Sequence, residues 1–232
     1  IISVSTSINI LILVAACCFL GYLYQGPPFR LGYQGLGEPL CWLAFGPFAY
    51  SAVLIALNPS NIYFEDIPWK VSLLLGSGPS LATTLVLFCS HFHQISEDKK
   101  HGKNSPLVRL GAKKGSQFVP WIIFTIYIFQ LFTIVYGFIP VFCILYLISF
   151  PQAIRLINLL KSFYKKPSAI KNSKFVAIKF QTLNGIGLIT GLIFNYFGLK
   201  CLLVRIFYFN KIKAFFCIYF KAYLIIKRDR FC

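Results

Sequence analysis

Six apolar stretches, each close to twenty residues long, limit what this sequence can fold into. They cover residues 2–20, 39–57, 70–93, 119–137, 138–156 and 181–199. A helix needs about 20 apolar residues to cross the hydrocarbon core of a bilayer, so each stretch can span a membrane. The stretches are continuously apolar and do not alternate, which favours helices over a β-barrel. We therefore expect an all-α fold, a multispanning transmembrane helical bundle.

Two features within these stretches predict how neighbouring helices meet. The fourth and fifth stretches adjoin, so Gly137 and Pro140 are predicted to form the turn between them. In the sixth stretch, Gly187 and Gly191 form a G-x-x-x-G pair. Such a pair is typical of a helix that packs closely against another helix, because glycine has no side chain to keep the two backbones apart.

The chain has 23 Lys and Arg against 6 Asp and Glu, a net charge of +17. A charge of this size can indicate a nucleic-acid partner, but its placement does not. Cations cluster after the third and fifth stretches, whereas the loop after the second carries Glu65 and Asp66 and no cation. Counting spans puts both basic loops, and the loop at residues 21–38, on one face of a membrane. The pattern predicts the lipid bilayer as a partner and excludes nucleic acid.

The loop from Tyr22 to Glu38 is dense in Gly, Pro and aromatic residues. This composition forbids a regular helix and predicts a loop of defined shape. It can be a tight connector whose tyrosines lie at the membrane interface. Arg30 and Glu38 are unusual in such a connector, and they make a role in binding an alternative.

The run from Gln94 to Lys103 contains two of the six acidic residues. On a helix, Gln94, Glu97 and Asp98 are three and four residues apart, so their oxygens can converge on one face. Oxygen ligands at a water-filled mouth suit Mg²⁺, which is commonly coordinated by both carboxylates and substrate phosphates. We predict Asp98 as the main metal ligand, with Glu97 and Gln94 beside it. The alternative is a solvated helix end next to a lysine-rich loop.

Further residues at the same mouth are candidates for binding substrate. Lys103, Arg109 and Arg30 are predicted to bind a diphosphate, since a leaving diphosphate needs positive charge around it. Tyr24, His93 and Glu38 are candidate substrate contacts. His91 and His93 are two residues apart and make a poor chelate on a helix. Lysines such as Lys113 and Lys114 are interpreted as topology signals only.

The rest of the sequence carries less information. The eight cysteines show no C-x-x-C pair or zinc spacing, and those within the spans are interpreted as small apolar side chains. The chain has no methionine, not even at position 1, which indicates a fragment or a processed chain. Residues 200–232 form a basic and aromatic tail whose cations conflict with the predicted topology. Three explanations are open: the tail is an amphipathic surface segment, it is not native coding sequence, or the last span is re-entrant and does not cross the membrane. We favour the second.

Residues 102–111, preceded by Gln94 and Asp98, resemble the second metal motif of the UbiA superfamily of intramembrane aromatic prenyltransferases. The loop at residues 24–38 is similar to the branch that transfers phytyl to 1,4-dihydroxy-2-naphthoate. The resemblance covers residues 1–199, a partial domain of this type. It implies that the six spans correspond to the fourth to ninth helices of a nine-helix fold, with the first acidic motif lying before residue 1. We therefore expect the chain alone to be inactive.

The resemblance also implies a reaction. Mg²⁺ would bridge the acidic motifs and a prenyl diphosphate, and an aromatic acid would attack the resulting allylic cation and lose its carboxyl group, in phylloquinone or menaquinone biosynthesis. The second motif of the family is D-x-x-x-D, and Gln94 takes its first position and Asp98 its last. Tyr24 and Arg30 are the nearest counterparts of a Y-x-x-x-K motif that is not matched. The implied location is a plastid membrane, with the mouth facing the stroma.

Three alternatives stay open. The acceptor can be homogentisate or another aromatic compound, and the prenyl chain can be phytyl or longer. A transporter or channel subunit is disfavoured because almost no ionisable residue lies away from the ends of the spans and no internal repeat is evident. A non-catalytic membrane protein is the third alternative. The sequence leaves the oligomeric state open.

Overall fold

The computed structural model describes residues 8–57 and 67–197, and within these ranges the chain is helical and contains no strand. The helices, in chain order, are α1 (Ile8–Gln25), α2 (Gly37–Leu57), α3 (Trp69–His91), α4 (Ile95–Lys100), α5 (Pro106–Val135), α6 (Val141–Phe163) and α7 (Ser173–Tyr196). All except the short α4 are long and apolar enough to cross a membrane, α7 being counted from the helical turn Pro167–Ile170 that precedes it. The predicted all-α bundle of six spans is confirmed.

Large apolar side chains cover the outside of the bundle. Trp121 is 68% exposed and Phe124 57% exposed, both on α5. A protein in water does not leave an apolar surface of this extent uncovered, whereas the hydrocarbon of a bilayer covers it without cost. The chain is therefore an integral membrane protein.

The helix bounds differ from the predicted stretches mainly at the basic loops. The fourth stretch was predicted from residue 119, but α5 begins at Pro106, and α7 begins at Ser173 where the sixth stretch was predicted from residue 181. Hydropathy detects only the part of a helix within hydrocarbon, whereas these helices continue into polar surroundings. Residues 1–7, 58–66 and 198–232 lie outside the described residues, and with them lie the acidic pair Glu65 and Asp66 and the tail.

A tight turn joins α5 to α6, as predicted. Gly137 has a φ of 75°, a left-handed conformation that other residues rarely adopt. Pro140 precedes the first residue of α6, and the first nine residues of α6, Val141–Ser149, form a 3-10 helix. The short turn places α5 and α6 side by side.

The two glycines of the G-x-x-x-G pair lie where α7 crosses α6. A Cβ atom added to Gly191 would lie 2.5 Å from the Cα atom of Cys143, and one added to Gly187 would lie 2.3 Å from the carbonyl oxygen of Leu145. Both neighbours are backbone atoms, which cannot move aside independently. The predicted close approach is confirmed, and only glycine permits it at these two positions.

Buried polar side chains tie α5, α6 and α7 together inside the membrane. Gln130 Nε2 donates to Asn184 Oδ1 at 2.5 Å, and Asn184 Nδ2 donates back to Gln130 Oε1 at 3.1 Å. Ser149 lies 3.4 Å from Asn184 Nδ2 and 2.9 Å from the hydroxyl oxygen of Tyr127. Because polar groups in hydrocarbon must find partners within the protein, this network fixes which faces of the three helices meet.

Cysteines within the spans pack as the sequence predicts. Cys89 and Cys143 are fully buried, and none of Cys17, Cys18, Cys41, Cys89 and Cys143 forms a disulfide. Cys89 and Cys143 are packing groups within the bundle, whereas Cys18 is exposed on its apolar outer surface.

Candidate active site

Three loops meet at one end of the bundle, as the charge pattern predicts. The backbone N–H of Asn104, between α4 and α5, donates to the carbonyl of Tyr33 in the α1–α2 loop at 2.7 Å. The hydroxyl of Ser173, at the start of α7, donates to the carbonyl of Cys89 near the end of α3 at 3.1 Å. These bonds bring the three loops to one polar end, which we call the mouth.

A helix-ending turn places Lys103 next to Asp98. The N–H of Lys103 donates to the carbonyl of Asp98 at 2.8 Å, and the N–H of Gly102 donates to the carbonyl of Lys99 at 3.3 Å. This pair of bonds is the Schellman motif, which requires a residue with positive φ after the helix end. Gly102 supplies it with a φ of 67°. The glycine therefore turns the chain back so that Lys103 lies over the last turn of α4.

Asp98 is a buried carboxylate with one oxygen free. The residue is 8% exposed, and its Oδ1 lies 3.5 Å from Lys103 Nζ. Its Oδ2 is buried and has no hydrogen-bond partner among the described residues. A buried, unpaired carboxylate oxygen is costly, so such an atom marks a place where a donor or a cation binds.

Glu38 and His91 extend this pair into a chain of four side chains. His91 Nδ1 lies 3.3 Å from Glu38 Oε1, and His91 Nε2 lies 3.4 Å from Lys103 Nζ. Both oxygens of Glu38 are buried without a hydrogen-bond donor among the described residues. We call Glu38, His91, Lys103 and Asp98 the mouth cluster. Sequence reasoning placed Glu38, Lys103 and Asp98 together but missed His91, because a histidine at a helix end has no distinctive pattern.

The other two predicted metal ligands, Glu97 and Gln94, are more exposed than Asp98. Glu97 is exposed, since neighbouring residues of a helix point in different directions, whereas Gln94 is half-buried and immediately precedes α4. The carbonyl of Gln94 accepts the N–H of Asp98 at 2.7 Å. Among the described residues, no group of three or more His, Cys, Asp or Glu side chains could by itself hold a metal ion.

The two predicted arginines lie at the rim. Arg109 donates from Nη2 to the carbonyl of Gln34 and so fastens the α1–α2 loop to α5. Arg30 is exposed, and its guanidinium lies 5.9 Å from the centre of the Tyr33 ring, within cation–π range. Arg30 belongs to the α1–α2 loop and Arg109 is bound to it, and both residues are exposed.

An apolar cavity of about 760 Å³ opens between α1, α2, α3 and α7. Its volume is within the range of about 300 to 1,000 Å³ that is usual for small-molecule sites. Its walls include Leu20, Phe45 and Val86, and its few polar groups come from Ser90, Thr83 and Gln181. Ser90 is the residue before His91, so the cavity adjoins the mouth.

Tyr24 connects the cavity with the mouth cluster. Its side chain lines the cavity, and it is within electrostatic range of Glu38 and Asp98. A Cβ atom added to Gly37, the residue before Glu38, would lie 2.8 Å from the Tyr24 ring. The tyrosine is therefore packed against the first turn of α2.

His93 lies apart from the mouth cluster. Burial, aided by the positive charge of Lys174, lowers the pKa of His93 below its usual value, and Lys171 acts in the same direction. The Nδ1 of His93 is buried without a hydrogen-bond partner among the described residues. The ring therefore lies near the basic loop that precedes α7.

A family model described as the UbiA prenyltransferase family matches residues 1–184. The chain is 37% identical over 183 residues to the 2-carboxy-1,4-naphthoquinone phytyltransferase of Synechocystis sp., a match that covers 79% of this chain and 57% of that protein. It is 38% identical over 191 residues to the chloroplastic 2-carboxy-1,4-naphthoquinone phytyltransferase of Arabidopsis thaliana, which covers 82% of this chain and 50% of that protein. The chain thus spans about half the length of the curated relatives it matches. No solved structure gives a significant match.

Proposed function

The chain belongs to the UbiA prenyltransferase family, and we propose that its protein transfers a phytyl group from phytyl diphosphate to 1,4-dihydroxy-2-naphthoate. The observation that supports this most strongly is the position of the mouth cluster beside an apolar cavity. A prenyl diphosphate likewise has a polar and an apolar part, a strongly anionic head on a hydrocarbon chain. The names of the two relatives support a phytyl donor and a naphthoate-type acceptor.

In this proposal the hydrocarbon chain of the donor lies in the 760 Å³ cavity. The apolar walls disfavour water, which would otherwise capture the allylic cation that forms when the carbon–oxygen bond breaks. Tyr24 and Phe45 offer aromatic faces that can stabilise positive charge. Which chain length fits best depends on the depth of the cavity.

The diphosphate head lies at the mouth. The Lys103 ammonium would bind its oxygens directly, while the rim arginines Arg109 and Arg30 contribute positive charge. The free Oδ2 of Asp98 fits a divalent cation, and we propose that Asp98 holds Mg²⁺ with help from Gln94 and Glu97. When bound, Mg²⁺ would neutralise charge on the departing diphosphate. One carboxylate with nearby amide and carboxylate oxygens suits an ion that takes its other ligands from substrate phosphates and water.

The acceptor would enter at the same mouth. The two oxygens of Glu38 are buried without a donor in the described part of the chain and can accept the hydroxyl groups of a dihydroxynaphthoate. Tyr24, between Glu38 and the cavity, would direct the ring towards the donor, and His93 would contact the acceptor from the side of α7. The ring carbon that bears the carboxylate then bonds to the phytyl carbon, and CO₂ and diphosphate leave.

We further propose that the protein resides in a plastid membrane with the mouth facing the stroma. The six spans make it an integral membrane protein, and one matched relative is chloroplastic. The loops at the mouth are rich in lysine, which is typical of loops that are not translocated across the membrane.

An assay of the full-length protein in membranes tests the proposal. With phytyl diphosphate, 1,4-dihydroxy-2-naphthoate and Mg²⁺, we expect a phytylated naphthohydroquinone and one CO₂ for each diphosphate released. Homogentisate in place of the naphthoate should give at most a small fraction of that rate. Faster turnover with homogentisate, or prenyl transfer without release of CO₂, would contradict the proposed acceptor.

A further inference from the structure

We propose that His91 is a positioning residue that holds the Lys103 ammonium in place for the diphosphate, with Glu38 holding His91 in turn. The inference rests on the proposed function for the identity of the ligand. It is carried by three distances that join four side chains from α2, α3 and the segment around α4. These are 3.3 Å from Glu38 to His91, 3.4 Å from His91 to Lys103 and 3.5 Å from Lys103 to Asp98.

The chemistry of the groups fixes the direction of each contact. An ammonium can only donate, so Lys103 donates to Nε2 of His91, which must then be an acceptor. A neutral imidazole with a free Nε2 carries its proton on Nδ1, and Nδ1 is the atom that faces Glu38. The pair does not have hydrogen-bond geometry, but the negative charge of Glu38, 3.3 Å from Nδ1, favours a proton on that nitrogen and leaves Nε2 to accept from Lys103.

Burial makes this arrangement hard to replace by solvent. His91 is 3% exposed, and its neighbours Phe92 and Cys89 are buried as well. A lysine has four rotatable bonds, and in water its ammonium would sample many positions. Held between Asp98 and His91, the ammonium of Lys103 loses this freedom before a ligand arrives, which lowers the cost of binding.

The substrate contacts proposed above do not include His91. In this account His91 acts on the diphosphate only through Lys103 and has no contact with the acceptor. Because Glu38 lies next to His91, a change at His91 should weaken binding of the diphosphate strongly and binding of the naphthoate only slightly. A residue that merely supports the fold would affect both substrates, or the stability of the protein.

Chemical modification of individual lysines tests this without using turnover. The full-length protein is treated with an acetylating reagent in Mg²⁺ and increasing inorganic pyrophosphate, and each lysine is followed by peptide mass spectrometry. Pyrophosphate should protect Lys103 and leave the exposed Lys99 and Lys100 unprotected. In His91→Phe, the concentration that gives half protection of Lys103 should rise about 10-fold or more. His91→Gln, which restores an acceptor, should return it to within about threefold of the original protein.

His101→Phe is the matched control, since His101 is exposed in the same segment and lies outside the mouth cluster. It should leave protection unchanged. In His91→Phe, the KM for phytyl diphosphate should rise by a much larger factor than the KM for the naphthoate. Equal rises in both constants, no recovery in His91→Gln, or unchanged protection in His91→Phe would overturn the inference.

Glu38→Ala keeps the test decisive if His91→Phe does not fold, as judged by gel filtration. It leaves His91 in place without the carboxylate, and we expect the half-protecting concentration to rise about threefold or more. No rise would overturn the inference. If His91→Phe weakens the protection of Lys103 and His91→Gln restores it, but the original protein shows no phytyl transfer, the proposed function fails and the positioning role of His91 stands.

Discussion

Replacing Asp98 by alanine in the full-length protein is expected to lower phytyl transfer by roughly 100-fold or more. The change removes the buried carboxylate whose free oxygen fits a divalent cation and whose other oxygen pairs with Lys103. Two groups that would act on the diphosphate are thus lost or displaced at once. The rate is measured in membranes at saturating phytyl diphosphate and naphthoate, so that a change in substrate affinity alone does not mask the effect.

Lys114→Ala is the control for this experiment. Lys114 is exposed on α5, near the same mouth, and its removal changes the net charge by one unit as the removal of Asp98 does. We expect its turnover to stay within about twofold of the original protein, because exposed charges contribute little. Similar losses in the two variants would show that the charge of the whole end of the bundle matters, and would contradict a specific role for Asp98.

The second large effect is expected at the crossing of α6 and α7. Leucine at Gly191 would force the backbone of α7 away from Cys143, where a Cβ atom alone would already lie 2.5 Å from backbone. We expect Gly191→Leu to lower the free energy of unfolding by about 3 kcal/mol or more, since neither backbone can yield separately. Monodisperse protein recovered in mild detergent, and its unfolding in SDS, measure the loss.

Gly185→Leu is matched to this change in residue type and in helix. A Cβ atom added to Gly185 meets nothing within 4 Å, so the same side chain has space there. It should be recovered in nearly normal yield, helped by the better helix propensity of leucine. Equal loss in both variants would mean that glycine at 191 serves the general flexibility of α7 and not the close contact.

Much of the fold was open to prediction from sequence because the bilayer imposes simple rules. Apolar length determines where a helix can span, and the lysines mark which loops share a face, so both the six spans and the common mouth could be predicted. Gly137 and the Gly187–Gly191 pair were predictable for a similar reason. A short turn and a close helix contact are both favoured by glycine, and the structure shows both.

The site was only partly predictable, because its geometry depends on turns and on contacts far apart in sequence. Spacing alone suggested that Glu97 and Asp98 act together, but one is exposed and the other is buried. The pairing of His91 with Glu38 crosses from α3 to α2, and that of Gln130 with Asn184 crosses from α5 to α7. Neither pair produces a local sequence pattern, because its two residues are far apart in the chain. Each residue by itself is an ordinary polar residue in a helix.

The Schellman turn at Gly102 is an intermediate case. The sequence from Asp98 to Lys103 contains the glycine that the motif needs, and the resemblance drew attention to the same segment. Residue spacing could not predict that this turn places the Lys103 ammonium 3.5 Å from the Asp98 carboxylate. A loop cation and a helix carboxylate thereby become parts of one site.

Photolabelling shows where the two ends of the donor lie. We propose that the mouth cluster binds the diphosphate while the attached hydrocarbon occupies the cavity. A phytyl diphosphate analogue with a photoreactive diazirine near the end of its chain is irradiated with the full-length protein, and the modified residues are identified by mass spectrometry. We expect labelling of cavity residues such as Leu20, Phe45 and Val86, and we expect inorganic pyrophosphate to abolish it. Labelling confined to the lipid-facing surface, at Trp121 and Phe124, and insensitive to pyrophosphate would contradict it.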